Sequence, residues 1–263
     1  LFDTHCHLNL DTYFPDVELA IQDARKAGVE RILIPGVNLK TSKKAVRITG
    51  DYEGVYCSVG IHPTEKVQEK EIEKLIYQLE ELCENSDRVV GVGEIGLDYY
   101  HLNLEPSIQK TLFKEQIKLA LKLDKAIIIH SRHAAKDLIL ILKEVGLEKF
   151  SGRTVFHCCE PNQELLDVAI KNKIFIGCDG DVTYDPTKAE FIKKVPLDNL
   201  VLETDSPFLT PEPVRSHNNG INNNKPQNLT YIAKYIADIK KIDLTIIQKQ
   251  TLQNSLKLFG IEE

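Results

Sequence analysis

The chain reads as an α/β protein of the closed (β/α)8 kind, a TIM barrel, and three observations lead there. Short β-branched, apolar runs alternate with longer amphipathic stretches, and no linker-like break interrupts them. Eight such runs can be counted, and 263 residues is an ordinary size for eight strand–helix units, so residues 1–263 are expected to form a single domain. Metal-binding side chains stand at the ends of five of the runs, and residues so far apart in sequence converge when parallel strands finish together.

The runs come in order as Leu1 to His5, Arg31 to Gly36, Val55 to Gly60, Val89 to Glu94, Ala126 to His130, Thr154 to His157, Ile174 to Gly177 and Leu200 to Glu203. Between them lie segments with one apolar helical stripe, such as Leu138, Ile141, Leu142 and Val145, or Leu229, Ile232, Ala233, Ile236 and Ala237. Strand–helix alternation implies right-handed crossovers and a parallel sheet. Closure is favoured over an open sheet because His5, His62, Glu94, His130, His157 and Asp205 all fall at or just after strand ends. In an open sheet these residues would be strung along a crevice, whereas a ring gathers them at its carboxyl rim. Thr210 to Pro226, with the run Asn222-Asn223-Asn224, reads as a long polar loop and a candidate flap that brings Arg215 to the ligand. Leu244 to Phe259 reads as a helix closing the barrel.

Composition narrows the function classes. With a formal charge of -6 the surface as a whole offers no broad basic field for nucleic acid. Attraction of a polyanion would have to be local, and two divalent cations would add about four positive charges in one cleft. Six cysteines without a CxxC pair fit a reducing compartment, and no apolar run approaches the length of a membrane span, so a cytoplasmic protein without a membrane association or an obligate protein partner is expected. The adjacent Cys158 and Cys159 are expected to be buried.

The candidate chemistry starts at His5-Cys6-His7. Alternate strand residues share a face, so both imidazoles could hold one cation, with Asp3 just upstream. Glu94 lies in Val92-Gly93-Glu94-Ile95-Gly96-Leu97-Asp98, where glycines leave room around a carboxylate whose two oxygens can bridge two ions. His130 and His157 end neighbouring apolar strands and could hold a second cation beside Glu94. Asp205 completes the first ion's shell and orients the attacking water, while Glu203 serves either as a ligand or as the partner that fixes an imidazole.

Asp3-Thr4-His5-Cys6-His7, Gly60-Ile61-His62-Pro63, Gly93-Glu94-Ile95-Gly96-Leu97-Asp98-Tyr99, His130-Ser131-Arg132, His157-Cys158 and Glu203-Thr204-Asp205-Ser206-Pro207 resemble, in order and spacing, the TatD-like metal-dependent deoxyribonucleases of the amidohydrolase superfamily. The resemblance implies one metal position served by His5, His7, Glu94 and Asp205 and another by Glu94, His130 and His157. It further implies hydrolysis of DNA phosphodiesters, with exonuclease action on single strands and magnesium or manganese as the supporting ion. The donor types by themselves favour zinc, manganese, iron or nickel, because magnesium prefers all-oxygen shells. Two departures stand out: Cys158-Cys159-Glu160-Pro161 replaces an aromatic-Ser-Gly turn, and the Asn-rich stretch between Arg215 and Pro226 is long.

In the mechanism these residues suggest, Asp205 acts as general base and His62, Arg132 and Arg215 contact phosphate. Tyr99 and Tyr100 offer faces on which bases could stack, although packing is the commoner use of such rings. Two rival readings use the same frame: hydrolysis of an amide, lactone or aminoacyl ester, and a non-catalytic metal-binding scaffold.

Overall fold

The computed structural model describes residues 1–218 and 223–262. Eight strands form one parallel sheet in sequential order: β1 (Phe2–Asp3), β2 (Arg31–Pro35), β3 (Val55–Val59), β4 (Val89–Asp98), β5 (Ala126–Arg132), β6 (Thr154–Phe156), β7 (Phe175–Cys178) and β8 (Leu200–Leu202). The ring closes just past the first and last strands. Thr4 N–H donates to the Leu202 carbonyl (3.0 Å), Asp205 N–H to His5 (2.9 Å) and His7 N–H to Ser206 (2.8 Å), and Cys6 and Ser206 form a parallel bridge. The expected (β/α)8 barrel is therefore the observed one.

The helices are α1 (Val17–Lys26), α2 (Leu39–Asp51), α3 (Ile72–Glu84), α4 (Pro106–Lys122), α5 (Ala135–Val145), α6 (Gln163–Asn172), α7 (Pro186–Lys194), the short α8 (Val214–His217), α9 (Leu229–Lys240) and α10 (Leu244–Phe259). Several begin where a side chain satisfies an otherwise orphaned backbone N–H: Asp16 accepts from Leu19, Asn38 from Thr41 and Asn162 from Leu165. Ile32 and Ile34 of β2 pack outward into the strand–helix layer, while Leu33 between them joins Phe2, Val90, Ile128, Val155, Phe175 and Val201 inside the ring. Leu256, Leu258 and Phe259 of α10 seal that inner cluster from the amino-terminal end, with the Phe259 ring 5.4 Å from that of Phe2. The barrel is thus a packed core, and only its carboxyl rim is open to chemistry. No helix among the described residues is long and apolar enough to cross a membrane.

Three boundaries differ from the sequence reading. β1 stops at Asp3, so His5 and His7 lie beyond the strand, on a segment held by the closure bonds rather than on regular strand. β4 continues four residues past Glu94 and β5 two past His130, because Ile95 to Asp98 pair with Ile129 to Arg132. Within β4 the register gains one residue between Val92 and Ile95, a bulge at Gly93–Glu94 that re-aims Glu94. The third difference concerns the polar loop after β8, which holds α8 and ends in an anchored turn. Asn224 is buried and donates to the Thr204 carbonyl (2.8 Å) and the Leu209 carbonyl (3.3 Å). The part of the expected flap that includes Gly220 and Asn222 lies outside the described residues.

Candidate metal centre

Glu94 is the hub of the rim. The bulge and its flanking glycines let it reach the axis: a Cβ at Gly93 would stand 2.5 Å from the Ile128 Cβ, and one at Gly96 (φ 146°) 1.9 Å from the His130 carbonyl oxygen. Four imidazoles converge on the Glu94 carboxylate. His130 Nδ1 is 2.9 Å and His62 Nε2 3.3 Å from Oε1, His157 Nε2 is 3.8 Å from the same oxygen, and His5 Nε2 is 3.4 Å from Oε2. His7 Nε2 faces His5 Nε2 at 3.3 Å and Asp205 Oδ1 at 3.3 Å, while Asp205 Oδ1 is 3.9 Å from His157 Nε2. The His5 and His157 rings stack with centroids 3.4 Å apart. The expected His5, His7, Glu94, His130, His157 and Asp205 are therefore brought together, and His62 joins them.

The groups on the far side of His157, His130 and His62 decide what the near side offers. Glu203 Oε1 lies 3.1 Å from His157 Nδ1 and favours a proton on that nitrogen, so Nε2 is the one that can give up its proton and turn a lone pair inward. Asp98 Oδ2, 3.0 Å from His130 Nε2, does the same for His130 and leaves Nδ1 as the nitrogen that faces Glu94. His62 is arranged the other way. The Thr64 N–H donates to its Nδ1 (3.2 Å), so Nε2 carries the proton and points it at Glu94. His62 is a donor at this centre, not a lone pair. The sequence places Asp98 in the Gly93-to-Tyr99 motif without giving it a role, and Glu203 takes the ring-fixing alternative rather than a direct one. Asp3 has a structural role as well. Buried between strands, it accepts from Thr204 N–H (2.9 Å) and the Thr204 hydroxyl (2.6 Å) and locks the turn that carries Asp205.

The charges match a cation site. Burial works against ionised Glu94, yet the surrounding His62, His130, His157 and His5 hold its carboxyl well below the usual range. Burial also lowers the affinity of His157 for a proton, but Glu203, Glu94 and Asp205 outweigh it and push the imidazole up to about 10. His130, buried but bonded to Asp98 and Glu94, rises to about 8, whereas His5 is lowered by burial. Among the described residues no lysine or arginine forms an ion pair with Glu94, Asp98, Asp205 or Glu203. Two facing imidazole Nε2 atoms beside carboxylates, with no resident cation, fit a divalent ion. Ligand atoms of His5, His7 and Glu94, and of His5, His157 and Asp205, each lie within 4.8 Å of one another. Mixed imidazole and carboxylate donors of this kind suit first-row divalent metals.

The centre floors a cavity of about 820 Å³ that is also lined by Arg132, Glu160, Asp181, Lys188 and Phe208. Arg132 reaches the cavity with its guanidinium 4.2 Å over the Tyr100 ring. Arg215 does not line it. Its guanidinium sits 4.4 Å over Tyr184 and 3.7 Å from Glu212, on α8, so the expected contact with ligand is not what this geometry places. Tyr99 is a packing residue whose hydroxyl donates to Asp137 (2.7 Å), while Tyr100 is exposed. Cys159 is buried as expected and Cys158 partly so, and Glu160 accepts from the His133 N–H (3.0 Å) at the cavity wall.

A second charge cluster adjoins this one. Cys158, Asp179 and Asp181 also place three donor atoms within 4.8 Å, but the ammonium of buried Lys188 stands 3.3 Å from Asp181 and 3.6 Å from Asp179. That cluster carries its own cation. A lysine on α7 gave no sign in the sequence that it points inward.

The fold and the motif order have relatives. The chain is 36% identical over 263 residues, 99% of either chain, to an uncharacterized metal-dependent hydrolase of Bacillus subtilis, YabD. It is 27% identical over 274 residues to the Deoxyribonuclease Tat-D of Schizosaccharomyces pombe, covering 93% of this chain and 88% of that one. The crystal structure of a TatD homologue from Escherichia coli, YjjV, superposes with a TM-score of 0.88 at 28% identity, over 100% of this chain and 98% of that one. Since residues 2–260 match the family model described as TatD related DNase, the chain belongs to that family of metal-dependent hydrolases.

Proposed function

We propose that this protein hydrolyses phosphodiester bonds of single-stranded DNA, from an end, with two divalent cations held side by side at the barrel rim. One observation carries the reading: Glu94 presents its two oxygens to two different donor sets, Oε2 toward His5 and Oε1 toward His130, His157 and His62. In it His5, His7, Glu94 and Asp205 hold one cation and Glu94, His130 and His157 the other. Bound there, such a pair lowers the pKa of water and neutralises charge on the phosphoryl oxygens, and magnesium or manganese, or zinc or another transition metal by donor type, could supply this.

The chain's own groups do the rest. Asp205 opens onto the cavity at φ 51°, held there by its N–H bond to the His5 carbonyl and by the Phe208 N–H on its own carbonyl (2.8 Å). As general base it takes the proton of the attacking water. His62, with its proton on Nε2 facing the centre, donates to a phosphate oxygen or to the departing sugar oxygen. Arg132 is the phosphate contact at the cavity wall, where its guanidinium rests 4.2 Å over the Tyr100 ring. The names of relatives such as the fission-yeast deoxyribonuclease support the choice of DNA.

End-labelled single-stranded DNA with magnesium or manganese tests this. Stepwise shortening by wild type, lost by about 10³-fold in Glu94→Ala and Asp205→Asn, is the expected result. Turnover confined to acyl esters or amides would replace the nuclease by the acyl hydrolase. Wild type indistinguishable from both variants in every hydrolytic assay would leave a scaffold.

A further inference from the structure

Ten large apolar side chains are exposed among the described residues, and their places are not random. Leu19, Tyr77, Leu140, Ile170, Tyr231 and Ile246 sit singly on the outer helices, which is ordinary for a soluble surface. The other four, Tyr13, Tyr100, Leu102 and Phe208, all lie on loops that follow strands, at the rim that carries the metal centre. Phe208 lines the cavity with its ring centroid 5.9 Å from that of His7 and 6.1 Å from that of Tyr13, each at an edge-on angle. Tyr100 follows Asp98, the partner of His130, and carries the Arg132 guanidinium over one face. The first pair rises from β1 and β8, the second from β4 and β5. In a ring of eight strands in sequential order these are opposite sides.

Resting on the nuclease reading, we infer that these two aromatic stations, Tyr13 with Phe208 and Tyr100 with Arg132, hold unpaired bases on either side of the metal centre. A strand then crosses the mouth with the scissile phosphodiester between them. Away from the cations and Arg132, the chemistry of the mouth leaves stacking as the source of grip on the flanking nucleotides. Its lining has six acidic side chains, Glu65, Glu94, Glu160, Asp181, Asp185 and Asp205, against Arg132 and Lys188, and Lys188 is committed to Asp179 and Asp181. Among the described residues that line the cavity, Arg132 is the one cationic side chain left free for phosphate, so side-chain contacts to the strand's backbone are few. Aromatic faces bind any unpaired base without them, and paired bases within a duplex have no free face to offer.

Two single-stranded oligonucleotides distinguish this from a packing role: one with all its bases and one abasic around the cleaved bonds, each assayed with manganese. On the base-bearing strand Phe208→Ala and Tyr100→Ala should each raise KM roughly ten- to hundred-fold with kcat little changed, and Phe208→Tyr and Tyr100→Phe should restore it. On the abasic strand the alanine variants should match wild type. Unchanged KM on the base-bearing strand, or an equal loss on both strands, overturns the stacking role while wild-type cleavage leaves the nuclease reading standing. A wild-type protein that cleaves neither strand overturns both.

Discussion

Two buried charge clusters share one rim of this barrel, and they resolve the same electrostatic problem in opposite ways. Asp179 and Asp181 at the end of β7 are paired with the ammonium of Lys188, which is itself buried. Among the described residues, the side chains paired with Glu94 and Asp205, and with Glu203 and Asp98 behind them, are imidazoles. An ammonium is a fixed charge, so the first cluster is complete as the chain folds. Imidazoles can give up a proton and turn a lone pair inward, so the second is built to accept a charge from outside. Three acidic or thiol donors in contact do not by themselves make a metal site; what matters is whether the chain already supplies the counter-charge.

The widest separation between the clusters should appear in activity. Glu94→Ala and Asp205→Asn should lose about 10³-fold or more of the hydrolytic rate. Asp179→Asn, one strand away, should leave the rate per folded molecule within a few-fold of wild type. Equal losses at both places would end the distinction.

Stability should show the reverse order. Lys188→Met removes the cation and leaves two carboxyls in a buried site, a change of about 3 to 5 kcal/mol, or roughly 10 °C in Tm for a chain this long. The loss should be the same with manganese or with EDTA present. A Lys188→Met protein rescued by manganese would show that the Cys158, Asp179 and Asp181 group takes metal after all.

How much of this was legible in the sequence follows from the same contrast. Parallel strands buried on both faces are continuous apolar runs, which is why all eight could be placed from residue types alone. Ligand-type residues at the ends of such runs, as at His130 and His157, are conspicuous because an unpartnered polar group there would be costly. The bulge at Gly93–Glu94 was not legible, since an extra residue in one strand shows only against its neighbour. Nor was the inward turn of Lys188, because α7 carries three lysines, Lys188 near its start and Lys193 and Lys194 at its end, and residue type does not say which one leaves solvent. The neighbours of Arg215 were not legible either: Tyr184 and Glu212, far apart in sequence, lie beside its guanidinium.

Metal addition should separate the clusters next. At 100 times the dissociation constant, a cation at the Glu94 centre should stabilise the wild-type fold by about 2.7 kcal/mol, and that increment should vanish in Glu94→Ala. It should also depend on pH in a definite sense. His157, raised to about 10, and His130, raised to about 8, hold protons at pH 7 that the cation must displace. Affinity therefore rises with pH as these two rings lose their protons. Calorimetric titration in buffers of different ionisation enthalpy should show proton release on binding at pH 7. A heat independent of buffer would contradict the protonation assigned to these rings.

The smallest effect belongs to the residues behind the imidazoles. Glu203→Gln keeps the shape of the side chain and an oxygen for the Cys158 N–H, which now donates to Oε1 at 2.6 Å. What it removes is the negative charge at His157 Nδ1. The backbone should stay in place while the ring loses part of its basicity and its fixed tautomer, weakening metal affinity by about 10- to 100-fold without altering the fold. Asp98→Asn should do the same through His130 Nε2. Isothermal titration with manganese measures both. Asp181→Asn, in the cluster that carries its own ammonium, is the matched control, because it changes a carboxyl of the same rim whose counter-charge is Lys188 rather than a ligand ring. If all three variants weaken manganese equally, the field of the whole rim sets the affinity, and the orientation of individual imidazoles does not.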